Sequence, residues 1–177
     1  MKKNYSTTIY LPIVSVVGET MIAVPQSFVI DWKDFHIAAL WVRIGLRKRK
    51  LVLWQDILEI SNAWYVQSED SLSEPEELIR LEEVLMQYFD LKKAICKTES
   101  GVLVGKVSDF TFDITTGQIT NLMIVNHQLR PLAHELMLPI TQVIKAEENM
   151  VIIRDLETPI EIKADNQEAI LPVPNYV

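Results

Sequence analysis

The chain is poor in several things, and each shortage removes a class of function. It has one cysteine, Cys96, so no disulfide can form within it. That usage fits a reducing compartment. Five glycines in 177 residues leave little material for a glycine-rich phosphate loop, and none is present. No serine sits in a nucleophile-elbow setting, and no His pairs by motif with Cys96. There are three histidines and no H-E-x-x-H. His127 and His134 stand seven apart beside Glu135, too few ligands for a metal centre, and read as surface side chains. No run approaches the roughly 20 apolar residues of a membrane span. The opening "MKKNYSTTIY" has two lysines but no apolar segment behind them, and "LPIVSVVG" is short and broken by Pro12 and Gly18. The expectation is a soluble cytoplasmic protein without leader or membrane span. Positive charge is also short. Lys and Arg number 17 against 24 Asp and Glu, a net charge of −7, which argues against free nucleic acid as partner. No tryptophan occurs after residue 64; all four (Trp32, Trp41, Trp54, Trp64) lie before it.

What remains is apolar and strand-like. Hydrophobic residues make up 49%, enough for a sizeable core. Residues 9–66 run through "IYLPIVSV", "FVI", "IAALWV", "LVLW" and "AWYVQ", all rich in β-branched and aromatic residues. Residues 67–90 change character. Ser73 is followed three positions on by Glu76, a capping-box spacing, and Pro75 lies in the first turn. Leu78, Leu81, Leu85 and Tyr88, joined by Val84 and Phe89, then recur at helical spacing. This predicts an amphipathic helix of about four turns. Its stripe has two destinations: packing at home, across the two halves, or pairing with a helix of another chain. Strand patterns return in "AICKT", "VLVGKV", "FTFDI", "QITNLMIV", "LMLPI" and "MVIIRD", and "LPVPNYV" reads as an extended tail.

The two strand-rich halves align. With Asp31 set against Asp113, Phe28 meets Phe110, Ile37 meets Ile119, Leu40 meets Leu122 and Ala23 meets Gly105. Only four of 22 positions are identical, but large apolar residues face large apolar residues at nearly every strand position. The offset is 82 there and 86 further on, where Ile57 meets Val143 and "WYVQ" meets "MVII". The second half therefore carries a longer loop near 126–136. By this alignment Cys96 stands opposite Val14, as a small buried apolar residue.

"GKVSDFTFDITTGQITNLMI" is a hairpin by its own chemistry. Asp113 can accept backbone N–H groups just ahead of it, and Gly117 can take positive φ at the end of the turn. Gly105 falls where the strand must bend. These residues resemble the signature of the PRC-barrel family: a glycine, a β-run into an Asp, a Thr-Gly turn, then apolar residues in the pattern I-x-x-L-x-I. The second half resembles it over 93–154 and the first over 11–72. The first half departs from it, with Phe35 at the turn-glycine position, Ala23 at the bend glycine and Pro25 interrupting the strand.

The resemblance implies an all-β chain: two small PRC-like β-barrels in tandem, residues 1–72 and 92–165, joined by one amphipathic α-helix over 73–91, with an extended tail over 166–177. It implies no shared catalytic residues, and no residue of the chain is singled out as a catalytic, cofactor or metal ligand. The expected role is non-enzymatic, an interaction or assembly adaptor for a protein complex. The family's other settings suggest hosts, either a membrane-peripheral photosynthetic complex or a ribosomal particle under maturation. A small-ligand barrel module is a third reading, and a homodimer is left open.

The candidate contact residues come from two places. "RIGLRKRK" gathers Arg43, Arg47, Lys48, Arg49 and Lys50 in eight residues of an acidic chain, a dock for an anionic partner face. A solvated hairpin that discourages edge pairing explains it equally. So does internal screening, since residues 69–90 hold eight acids and one Arg. Trp32, just past the turn Asp31, is expected to be exposed, and Phe35 either joins it in a contact surface or folds back on the barrel. Trp41 and Trp64 are expected in the core. The contact set is Arg47, Lys48, Arg49, Lys50, Trp32 and Phe35.

Overall fold

A computed structural model describes residues 1–125, 135–147 and 149–155. The sequence expectations for His127, His134 and the extended tail over 166–177 lie outside them.

In chain order the elements are β1 (Lys2–Asn4), α1 (Tyr5–Thr8), β2 (Ile13–Ser15), β3 (Thr20–Asp31), β4 (His36–Ile44), β5 (Lys48–Leu53), β6 (Ile57–Ile60), β7 (Trp64–Val66) and β8 (Leu72–Ser73). There follow α2 (Glu82–Met86), β9 (Ile95–Thr98), β10 (Leu103–Asp113), β11 (Ile119–Val125), β12 (Glu135–Pro139), β13 (Val143–Glu147) and β14 (Met150–Ile153). The protein is mostly strand, as the alternating apolar pattern requires.

The strands form two sheets. One runs β6-β7-β2-β3-β4-β5-β8, the other β13-β14-β9-β10-β11-β12, with β1 added to β10. Setting β1 and β8 aside, the two orders are the same. Each has one parallel pair at the same place, β2 with β7 and β9 with β14. The registers agree in detail. Phe28 pairs with Leu40 and Phe110 with Leu122; Val24 pairs with Arg43 and Lys106 with Val125. Bulges fall at equivalent positions, Pro25/Ser27 with Val107/Asp109 and Val29/Ile30 with Thr111/Phe112. Pro25 thus sits at a bulge, where its missing N–H is tolerated. A short 3-10 turn follows β5 (Trp54–Asp56) and β12 (Ile140–Gln142) alike.

The offset of 82 holds through β3/β10 and β4/β11, and 86 through β5/β12. At β2 and β7 the inward-facing residues sit one position later. Ile13 and Ser15 are buried in β2, Cys96 and Thr98 in β9. Cys96 is therefore buried, as expected, but takes the place of Ile13 rather than Val14. A one-residue slip exchanges the two faces of a strand, and only packing reveals it.

The two sheets share an interior. Phe28 of β3 lies edge-on to Phe110 and Phe112 of β10, with ring centroids 5.9 and 5.5 Å apart. Trp64 of β7, fully buried, lies near-parallel to Phe112 at 6.3 Å. Tyr5 of α1 sits 4.9 Å from both Phe28 and Phe110. A single apolar cluster contains Ile13, Leu40 and Val52 from one sheet and Cys96, Leu122 and Ile153 from the other. Each aromatic pair adds about 0.5–1.5 kcal/mol beyond its buried area, so this junction is a principal stabilising element.

The sheets also meet at their turns. Ile37 N–H donates to Gly117 O at 3.0 Å, and Ile119 N–H donates to Phe35 O at 2.9 Å. These are equivalent residues exchanging equivalent bonds. Phe35 takes positive φ (56°) and Gly117 takes 74°, so the first turn has the glycine's backbone without the glycine. Gly117 cannot be enlarged in the same way, because a Cβ would stand 2.8 Å from the Trp54 ring. Asp113 caps its turn as its chemistry demands, accepting Thr115 and Thr116 N–H at 2.9 and 3.2 Å. Its carboxyl is held down to about 2, first by the amino group of Met1 and then by those N–H donors.

Two boundaries differ from expectation. Residues 2–4 pair with β10, so the first residues of the chain belong with the second sheet. The segment after residue 73 is not one four-turn helix. It comprises 3-10 turns at Pro75–Glu77 and Ile79–Leu81 and a single α turn, α2. The capping box is Glu74 with Glu77, one residue later than the Ser73–Glu76 pair. Leu78, at φ −105° and ψ 59°, breaks the helical path between the two turns. The apolar stripe still does its work. Leu78, Leu81, Val84, Leu85 and Tyr88 pack on Val29, Ala39 and Leu51, the outward side chains of β3, β4 and β5. Tyr88 also donates its hydroxyl to Ser27 at 2.8 Å. The stripe thus packs at home, on one sheet rather than across both. Full burial of a leucine is worth roughly 1.5–3 kcal/mol, and even the part of that gained by these half-buried side chains, summed over the stripe, outweighs the propensity for a regular helix.

Candidate interaction surface

The basic run begins with Arg43 at the end of β4 and continues through the tight turn into β5. β4 and β5 pair from Ala39↔Leu53 to Ile44↔Lys48, which leaves Gly45, Leu46 and Arg47 at the tip. Gly45 turns the chain with φ 57° and open space around it. Arg43 donates to Gly45 O at 2.9 Å and braces the turn.

Along β5 the side chains alternate, as a strand requires, and this divides the cations. Lys48 and Lys50 share Glu74, at 3.0 and 3.6 Å. Lys50 is largely covered and also donates to Leu72 O at 3.0 Å. Glu74 is held below the ordinary carboxylate range, chiefly by the hydrogen bond from Lys48. Arg49 lies on the other face with its guanidinium 4.7 Å from the Trp41 ring. Arg47 is exposed at the tip and makes no ion pair among the described residues. The cluster is thus partly screened from within, and the acid that screens it, Glu74, is in the segment after β8. What the turn offers to a partner is narrower than four cations: Arg47, the outer end of Lys48, and the side chain between Gly45 and Arg47. That side chain is Leu46, which is 91% exposed.

Trp32 and Phe35 are elsewhere. They flank the turn at the opposite end of the β3–β4 hairpin. β4 spans nine residues, so the two ends stand roughly 26 Å apart at about 3.3 Å per residue. Trp32 is not exposed as expected. Its ring stacks on Phe89 at 4.7 Å and 8° and meets Phe35 edge-on at 6.2 Å. Phe35 packs against the shared core, the fold-back alternative. The two aromatics close the end of the hairpin, and the six candidates do not form one surface. Trp64 is core, whereas Trp41 lies on the outer face of its strand, packed against the small cluster under the linker and covered by Arg49.

A cleft that the sequence reading missed lies between this segment and the first sheet. It has a volume of about 540 Å³, with Leu53, Trp54, Leu78, Ile79 and Leu81 as walls and His36, Glu77 and Arg80 among its polar residues. A second hollow of about 420 Å³ shares Leu78 and Ile79 and continues past Glu82 to Leu85 and Met86. Ile79 and Met86 are 80% and 77% exposed. The available signal was their position off the Leu78–Leu81–Leu85 stripe, where a buried helix face does not place large apolar residues.

Cys96 is fully buried, and burial pushes its thiol up to about 12 from an ordinary 9.0. A thiol of this kind is inert. In the folded protein at pH 8, iodoacetamide labelling followed by mass spectrometry should run roughly a hundredfold or more slower than in guanidinium. Equal rates would show that β9 and β14 do not seal the site.

Residues 87–158 match the PRC-barrel domain family. The matched stretch holds β9 to β14, the whole of the second sheet apart from β1, and includes the Asp113 turn, Gly105 and Gly117. No curated protein matches the chain. The PRC-barrel match thus starts at the end of the linking segment, and its β-rich content agrees with the sheet observed. No helix among the described residues is long and apolar enough to cross a membrane.

Proposed function

We propose that this protein is a non-enzymatic interaction module of tandem PRC-type units, with the β4–β5 turn as a contact point for an anionic face of a protein complex. The tandem reading is supported by the two sheets' common strand order, register and bulge positions. The interaction reading is carried by one observation: a leucine 91% exposed at a hairpin tip, set among arginines and lysines in a chain of net charge −7. An apolar side chain held in water at a tight turn has no folding role there, and with flanking cations it suits a partner that supplies an apolar recess and carboxylates. A complex at a membrane surface, as in photosynthetic assemblies, fits the same chemistry.

The variant that tests this leaves Lys50 alone, because Lys50 is tied to Leu72 O and its reversal would disturb the β5–β8 contact. Leu46→Ser with Arg47→Glu alters only exposed groups, so its melting temperature should match wild type. Affinity capture from the native host, read by quantitative mass spectrometry, should lose at least about tenfold of the partners that wild type retains. Equal recovery of every partner by the variant would retire the proposal.

A further inference from the structure

The same segment that screens Lys48 carries a groove whose chemistry is complementary to the turn. Its two hollows meet at Ile79, and their apolar lining includes Leu53, Trp54, Leu78, Leu85 and Met86. Glu76, Glu77 and Glu82 line them, with Arg80 as the one cation. Glu76 and Glu82 make no ion pair among the described residues. Lys33 holds Glu83 close by at 3.0 Å and leaves those two unengaged. An apolar recess with an acidic rim calls for an apolar knob flanked by cations.

The chain itself presents that knob. Leu46 is the most exposed large apolar side chain among the described residues, and Arg47 stands beside it without a partner among them. It does not fill its own chain's groove, since it is 91% exposed. Residues 156–177 are a poor occupant by charge, with Glu157, Glu161, Asp165 and Glu168 against Lys163. We infer that the groove receives the β4–β5 turn of a second copy, Leu46 entering beside Ile79 and Arg47 reaching Glu82 and Glu76. If each copy gives one turn and takes one, the contact is two-fold and closes as a dimer. It deepens the interaction reading by naming an occupant for this face. Because the ion pairs lie at the rim, association is weak and falls with salt.

Sedimentation equilibrium of the full chain from about 10 µM to about 1 mM at low salt tests this. The average mass should climb from 20.4 kDa toward twice that value. Leu46→Asp and Ile79→Asp should each raise the midpoint concentration at least about tenfold, with melting temperatures unchanged because both side chains are exposed. Arg47→Glu and Glu82→Arg should each weaken association, and the double variant should recover it. A chain that stays monomeric throughout overturns the inference. So does association that survives either aspartate variant, or a charge exchange that restores nothing. Ile79→Asp leaves the turn intact, so capture of other partners through Leu46 persists in that variant. Loss of self-association is thereby separable from failure of the interaction reading.

Discussion

Replacing Trp64 by alanine should cost about 3–5 kcal/mol and should unfold both sheets together. Trp64 belongs to β7 of the first sheet and is fully buried. Its ring lies on Phe112 of the second sheet at 6.3 Å and edge-on to Phe28 at 5.6 Å. Its indole N–H donates to Thr8 O at 2.9 Å, at the end of the segment that carries Tyr5 into the same junction. The substitution removes a large apolar surface, leaves a cavity between the sheets and takes one of two donors from Thr8 O, which keeps the Leu11 N–H at 3.0 Å; all three losses have the same sign. Two reporters separate a shared core from two independent ones. Of the remaining tryptophans, Trp32 and Trp41 report on the first half and Trp54, 5.9 Å from Phe112, on the junction; Cys96, in β9, reports on the second half. In a denaturant titration, tryptophan fluorescence and Cys96 labelling should change at one midpoint in wild type, and at one lower midpoint in the variant. A Cys96 that stays protected after the fluorescence transition is complete would show that the second sheet stands alone and that the junction is not a core.

The internal alignment made much of this legible. Strand positions from 23 to 44 and from 105 to 125 pair in the structure at the expected offset, down to the positions of the bulges. The change of offset by four falls, as expected, between β11 and β12. Asp113 acts in the turn through its carboxylate and Gly117 through the positive φ that the lack of a side chain allows. Three features resisted. The register of β2 and β9 slipped by one, because apolar residues on both faces of a short strand give no phase. The segment after residue 73 has a helix's periodicity, but a 3-10 path can present the same stripe, and the curved face of β3–β5 selected it. Trp32 follows a turn, a place where side chains are usually exposed, yet Phe89, 57 positions on, covers it. A contact of such sequence separation leaves no local trace. The candidate surface was half legible for a related reason. Charge marks "RIGLRKRK" on the page, whereas its screening by Glu74 and the groove beyond depend on where the linking segment settles.

The position of Gly105 gives the sharpest contrast between the two halves. Its φ is 155°, and a Cβ would stand 2.5 Å from Val125 O and 2.9 Å from its carbonyl carbon. Both obstacles are backbone atoms of the neighbouring β11, so no side chain can turn aside to make room. The residue also sits at a register shift between β10 and β9, the bend that lets one long strand serve both neighbours. Gly105→Ala must therefore either push β11 away or straighten the bend, and it should cost about 2–4 kcal/mol. On a chain of this size that corresponds to a fall of roughly 5–15 °C in melting temperature, read by calorimetry. Ala23 is the matching residue of β3, and there the methyl is buried in the core at 2% exposure. Ala23→Gly should accordingly lose only about 1 kcal/mol, from a missing methyl and added freedom in the unfolded chain. Gly45→Ala supplies the control for backbone strain alone, since its φ is 57° but nothing lies within 4 Å of the added carbon; about 1 kcal/mol is expected. If Gly105→Ala proves no worse than Gly45→Ala, the close approach of β11 is not what keeps a glycine at this bend. The equivalence of the two halves would then have to be argued from register without it.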